Sequence, residues 1–288
     1  MLSGVAAVAE LADALDSKSS DRKVMRVRLS PAAQKLTMEN NNWDKNQESE
    51  FKKIIKKLFN DKINDALKEA KNPLQVGDVL SDILKNSDKD IVNIITTRAV
   101  RKWSSAKTFL KWEKILEDPQ MIIELREIGK SIANTMRPLA GNNFALWVAA
   151  ILNKYFEQQS IPLQALKSGK VRNTLAKEFV HKAGKRGARD YKPDIDIVLV
   201  RMDLNNKPVA IISAKTTLAE RIMQTITWSR YLKIPIILVT AWETFESGTN
   251  RERVQELDGV YVCNTKVKEY GNIKRFSRIA EDLKKFTL

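Results

Sequence analysis

Cysteine occurs once in this 288-residue chain, and so does histidine. A single thiol, Cys263, excludes an internal disulfide framework and fits a reducing compartment. It stands in "GVYVCN", which reads as a buried strand, so an inert core thiol is expected there. One His and one Cys also exclude zinc sites built from those residues. His181 reads as a surface or phosphate-contacting group, not a metal ligand or general base. Long apolar runs are missing too: nothing approaches the roughly 18–20 uninterrupted apolar residues of a membrane span. The opening "MLSGVAAVAELADALDS" carries Glu10, Asp13 and Asp16 and lacks a basic leader. It reads as a short amphipathic helix, not a secretion signal, and a cytoplasmic protein is expected. Acid, finally, is scarce against base, with 35 Asp+Glu to 50 Lys+Arg, a net charge of +15 and a pI near 9.7. Such an excess favours polyanionic partners, because each phosphate neutralised releases a condensed counterion.

What is present divides the chain. The length allows one large or two medium domains. The first half reads as helical, with residues 1–42 a loosely attached lead-in. "ESEFKKIIKKLFNDKINDALKEA" sets Phe51, Ile54, Ile55, Leu58, Phe59, Ile63 and Leu67 on one helix face, with lysines opposite. Further helices are expected in "VGDVLSDILKN", "KDIVNIITTRAVRKWSSAKTFLKWEKILE" and "PQMIIELREIGKSIANTMRP". "GNNFALWVAAILNKYFEQQ" carries the stripe Phe144, Trp147, Val148, Ile151, Leu152, Tyr155, Phe156, a core-facing helix opened by a Gly141-Asn142-Asn143 turn or cap. No strand alternation is seen before about residue 190. After it, "DIDIVLVRMDL" and "PVAIISAKTT" are β-branched runs separated by an Asn205-Asn206 turn signal. "LAERIMQTITWSRYL" returns to helix, and "IPIILVT" is the apolar run of a strand buried in a parallel or mixed sheet. "GVYVCN" is a further strand, and "IKRFSRIAEDLKKFTL" closes the chain as a helix. The expectation is a helical region over 1–134, then an α/β domain over 135–288 with a mixed central sheet flanked by helices.

Charged residues stand at fixed places in the two β-branched runs. Asp194 and Asp196 point to one side of their strand, since side chains alternate with period two. Two carboxylates opening an apolar strand repel each other and are costly unless a cation satisfies them. A divalent metal would do so, and Mg²⁺ takes one or two carboxylates plus waters and phosphate. Lys215 ends the paired strand, where it can approach the same point and assist an attacking water or a developing phosphorane. The Ala214 carbonyl is a further candidate ligand. The alternative is a plain hairpin with its Asp and Lys residues reaching solvent.

Pro193-Asp194, 18 intervening residues and Ser213-Ala214-Lys215 together resemble the PD-(D/E)xK nuclease core. The continuation "KTTLAER" is similar to a stretch of type II restriction endonucleases, notably those cutting CCGG- or CCNGG-like sites. The likeness covers the C-terminal half. It implies a Mg²⁺-dependent, sequence-specific double-stranded DNA endonuclease that leaves 5′-phosphate and 3′-hydroxyl ends. Asp194 would anchor the metal, Asp196 or Glu220 would support it, and Lys215 would assist the water. Cutting both strands of a palindrome needs two active sites, so a homodimer is expected.

The chain also departs from the pattern. Ser213 stands where a second carboxylate is usual. Relatives with such a replacement draw an acid from the next helix thirteen or fourteen positions on, where this chain has Trp228 and Ser229. Glu220 is the nearest acid left, its alternative being an ion pair within its own helix. A Gly-x-x-Phe-Glu pattern of similar enzymes reads Gly141-Asn142-Asn143-Phe144-Ala145 here. Either fewer acids are used, or Ala145 replaces a glutamate in an inactivated variant. Lys167 to Lys192 hold nine basic and two acidic residues, so +7 lies in 26 positions. Within it Lys170, Arg172, Lys182, Lys185, Arg186 and Arg189 are candidate phosphate contacts, against a merely solvated basic face. Arg221, Gln224 and Arg230 are candidates for reading purine edges. Two other readings stay open: a junction resolvase, repair or transposition nuclease on the same core, and a non-catalytic DNA-binding protein.

Overall fold

The computed structural model describes residues 45–102, 119–183, 195–216, 225–226, 229–230, 234–243, 245 and 248–286, some helical side chains excepted. They fall into two compact units, one within Met1–Lys62 and Lys85–Leu139, the other within Ile63–Leu84 and Ala140–Leu288.

Four helices lead. α1 (Lys45–Glu69) buries Phe51, Ile55, Phe59 and Ile63, one residue per turn, as its periodicity requires. α2 (Pro73–Asp78) is capped by Asn72, whose Oδ1 accepts from Leu74 N–H at 3.0 Å, and Pro73 takes the first turn, where its missing N–H costs nothing. α3 spans Leu80–Lys102 and α4 spans Pro119–Gln158. In the first unit the Arg98 guanidinium joins Glu48 through Nε and Nη2, both at 2.9 Å, and lies 4.9 Å from the Phe51 ring centre. Arg98 also donates to Thr135 Oγ1 at 3.2 Å, tying α1, α3 and α4.

α4 corrects one expectation. Gly141-Asn142-Asn143 is neither turn nor cap, because the helix runs unbroken through Pro138 and Gly141. A buried stripe through Asn143, Phe144, Trp147, Val148, Ile151, Leu152 and Phe156 holds the backbone helical where local propensity favoured a break.

In the second unit six strands form one mixed sheet in the order β1-β2-β3-β4-β5-β6. β1 is Leu163–Leu166, β2 Ile197–Arg201, β3 Lys207–Lys215, β4 Ile236–Thr240, β5 Gly259–Val262 and β6 Ile273–Arg275. β1–β2 and β2–β3 are antiparallel; the rest of the ladder is parallel. Asn205 and Asn206 close the β2–β3 hairpin with φ of 53° and 57°, the left-handed region that asparagine tolerates. α5 (Lys170–Ala183) precedes β2, α6 (Gly248–Arg253) precedes β5, and α7 (Ile279–Leu283) follows β6. Ile226, Leu238, Val254, Val260, Val262 and Ile273 belong to one buried cluster, and Leu175, Ile195, Val198, Val200, Ile211 and Ile236 to another.

Two further corrections concern strands. β1 lies before residue 190, and its alternation lasts only four residues, too short to register as period two. Asn153 supports this edge strand, donating to Ala165 C=O at 3.0 Å and accepting from Ala165 N–H at 2.7 Å, as a neighbouring strand would. The closing "IKRF" begins as β6, drawn out of the helix by pairing with β5. Gly77 of α2 is required by close approach, since a Cβ there would meet the Phe276 ring at 1.9 Å. Cys263 is fully buried and burial, with the Asp78 charge, pushes its thiol well above the ordinary range, as expected of an inert thiol. Among the described residues no helix is long and apolar enough to cross a membrane.

Candidate active site

Lys215 is the last residue of β3, at the carboxyl end of the parallel strands, where open α/β sheets present crevices. Asp196 immediately precedes β2, which runs the other way, so it reaches the same end of the sheet. Ile197 pairs with Ile212, which puts Asp196 level with Ser213 and on the face of β3 that carries Ser213 and Lys215. The geometry then closes on one carboxylate oxygen. Asp196 Oδ2 accepts from Lys215 Nζ at 2.7 Å and from Ala214 N–H at 2.8 Å. The Lys215 side chain is only 5% exposed and that of Asp196 20%. An ammonium so buried requires an anionic partner, and the pair supplies it. Within a strand, N–H and C=O of one residue point the same way, so the Ala214 carbonyl is turned toward the Asp196 side.

Two basic residues lie near this pair, one in the β1–α5 connection and one in the first turn of α5. Arg172, on α5, donates Nε to the Ile195 carbonyl at 2.7 Å, bracing the backbone next to Asp196. Lys167 follows β1 and its Nζ lies 3.5 Å from Asn142 Oδ1 on α4. Burial lowers the Lys167 ammonium below its ordinary range; the Asp196 charge opposes that shift and the Arg172 charge adds to it. Both residues therefore stand within electrostatic reach of the Asp196 centre. Lys167 belonged to the basic segment in the sequence but carried no motif that set it apart.

The other candidates are dispersed. Ala145, three residues after Asn142 and four before the buried Ala149, lies on the same α4 face as Asn142 and is 1% exposed. Ser213 is buried, its Oγ 3.5 Å from Thr225 Oγ1. Arg230 is bound to Glu256, with Nε and Nη2 at 3.1 and 2.6 Å from Oε2. Lys170 is exposed at the first position of α5, and Lys182 lies on the same helix with its side chain, like that of His181, outside the description. Asp194, Lys185, Arg186, Arg189, Glu220, Arg221, Gln224 and Trp228 lie outside the described residues. Among those described, no group of three or more His, Cys, Asp or Glu side chains gathers to hold a metal. The Asp196 carboxylate and Ala214 carbonyl are nonetheless all-oxygen donors, the set that suits a hard cation.

Residues 180–286 match the family model of BsaWI restriction endonuclease type 2, a span that includes Asp196, Ser213 and Lys215 but not Ala145, Lys167 or Arg172. No curated protein matches the chain. A solved structure of metal-depleted Ecl18kI in complex with uncleaved, modified DNA is similar at a TM-score of 0.49 and 19% identity, over 83% of this chain and 84% of that one.

Proposed function

We propose that the chain is a type II site-specific endonuclease that hydrolyses double-stranded DNA with Mg²⁺. The observation that carries the proposal is the Asp196–Lys215 pair at 2.7 Å, seated at the carboxyl end of β3 inside the segment that matches a restriction-endonuclease family. Asp196 and the Ala214 carbonyl would hold the metal, with Asp194 and Glu220 as further acids. Bound Mg²⁺ would supply a water of lowered pKa and offset charge on the phosphate oxygens. Lys215, anchored on Asp196, places a fixed positive charge beside the scissile phosphate, where it orients the water and meets charge that grows in the transition state. The Ala214 N–H and Lys215 together hold the Asp196 carboxylate in one orientation. Lys167, Lys170 and the basic residues up to Arg189 would line the DNA backbone's approach. Arg221, Gln224 and Arg230 are proposed to read base edges, Arg230 on release from Glu256. Residues 1–134 would embrace the duplex or build the contacts of a symmetric homodimer.

Plasmid incubated with Mg²⁺ tests the reading. Discrete fragments from the native chain, lost in Lys215→Ala and Asp196→Asn, are the expected result; undiscriminating degradation, or fragments that persist in both variants, would overturn it. A second reading, a DNA-binding protein that does not cut, is favoured by Ser213 and Ala145 at two positions where similar enzymes carry acids. Sequence-specific binding without cleavage under any divalent cation would select it.

A further inference from the structure

We infer that α1 carries a second DNA-contact surface, a square of four lysines that binds the duplex backbone without regard to sequence. The inference rests on the proposed DNA-directed function but concerns a different unit of the chain. Lys52, Lys53, Lys56 and Lys57 are all exposed and stand at i, i+1, i+4 and i+5, two adjacent pairs one turn apart. From Phe51 to Asn60 the helix has no acidic residue. Lys52 has Glu48 at 4.0 Å, but among the described residues no carboxylate is paired with Lys53, Lys56 or Lys57. Like charges at i, i+4 destabilise an isolated helix, so this packing of lysines works against the local structure that displays it.

That helix is held in place from its other side. Phe51, Ile55 and Phe59 are buried, and Arg98 clamps Glu48 while stacking over Phe51. The lysines thus project from a fixed support and lose little backbone freedom on binding. An amphipathic helix that lies in a membrane surface needs its apolar face for the lipid; here that face is already used in the protein. The spacing fits a duplex. Lys52 to Lys57 rise about 7.5 Å along the axis, a length over which each strand of double-stranded DNA presents about two phosphates, at about 3.4 Å per charge.

Counterion release gives the test a magnitude, a salt slope of about −0.9 for each phosphate neutralised. Binding of the full chain to duplexes of unrelated sequence would be measured from 50 to 300 mM salt without divalent metal. Replacing all four lysines by glutamine is expected to make the slope shallower by about 2 to 4, and K56Q alone by about 1, with helix content unchanged. K266Q/K268Q, two exposed lysines of the other unit, controls for net charge against the matched pair K56Q/K57Q. An unchanged slope in the four-lysine variant, or an equal change in the control, would overturn the inference. Loss of affinity with no change in slope would overturn it too, pointing to a folding defect. The cleavage reading is separable, since a chain that never cuts can still show the lysine-dependent slope, and one that cuts can lack it.

Discussion

Two carboxylates of the second unit each accept a lysine, one beside β2 and β3 and the other beside β5 and β6, and they are not alike. At one end Asp196 meets Lys215 and the backbone of Ala214, at a strand end where the parallel sheet opens. Across the sheet Asp282 of α7 accepts from Lys274 at 2.8 Å, Lys285 at 2.7 Å and the hydroxyl of the buried Tyr261. Burial works against ionising Asp282, yet its three side-chain donors hold the carboxyl well below the ordinary range. Burial and the same carboxylate push the Tyr261 hydroxyl far up, so it stays protonated as a donor. Asp282 ties β5, β6 and α7 together. Asp196 stands level with Ser213, where two strands end side by side. A lysine–carboxylate pair by itself therefore does not mark a candidate catalytic centre; what sets Asp196–Lys215 apart is its place at the strand ends, within the segment that matches the restriction-endonuclease family model.

That distinction breaks first at Lys215. Lys215→Ala should lower Mg²⁺-dependent cleavage by about 10²–10⁴-fold, the range for a positioned catalytic group. Asp282→Ala should leave cleavage per folded molecule unchanged. If rates of cleavage fall equally in both, the two carboxylates do one kind of work and the comparison fails.

Next in size is the cost of opening the Asp282 network. Asp282→Asn should destabilise the fold by roughly 1–3 kcal/mol in urea unfolding at neutral pH, because the Tyr261 hydroxyl and Lys274 lose a charged acceptor. Its pH dependence has a definite sign. A carboxyl held below its ordinary value of 3.8 contributes stability that is complete above that value and lost as pH falls through the lower folded value. The gap between native chain and Asp282→Asn should accordingly narrow as pH drops below about 4. A gap constant from pH 6 to pH 3 would mean that the charge contributes nothing.

Ala145 comes third. It shares the α4 face of Asn142, which meets Lys167 beside the Asp196 centre. Ala145→Glu should raise Mg²⁺-dependent cleavage on the order of tenfold, about 1.4 kcal/mol of barrier. Equal or lower activity would show that the missing acid is not owed at this position.

The extent to which this was readable in sequence follows the same division. Strands with continuous β-branched runs, β2 to β5, were legible because burial on both faces leaves an apolar signature. β1 and β6 were not, since their pairing partners define them more than their own few residues do. Asp196 and Lys215 were visible as charges in apolar strands. Which aspartate meets the lysine was not, because that depends on register: pairing of Ile197 with Ile212 sets Asp196 beside Ser213. The assignment of Arg172 to phosphate contact could not foresee that its Nε is taken by the Ile195 carbonyl. Long-range hydrogen bonds of this kind leave no periodic trace.

The smallest effect lies at Ser213. Its hydroxyl is buried 3.5 Å from that of Thr225, beyond the usual O–H···O range of about 2.5–3.0 Å. Ser213→Ala should therefore change stability by less than about 1 kcal/mol, below the worth of a typical hydrogen bond, and cleavage by less than about threefold, a comparably small step in barrier. Ser213→Asp should do more, in the opposite sense from Ala145→Glu. Ser213 stands level with Asp196 on one sheet face, so a second carboxylate there would repel the first and loosen its hold on Lys215 unless a cation joins them. Mg²⁺ should then raise the melting temperature of Ser213→Asp more than that of the native chain, because the cation removes the repulsion only in the folded state. Equal shifts in the two proteins would place the Asp196 oxygens out of reach of a shared metal, and with them the metal site proposed here.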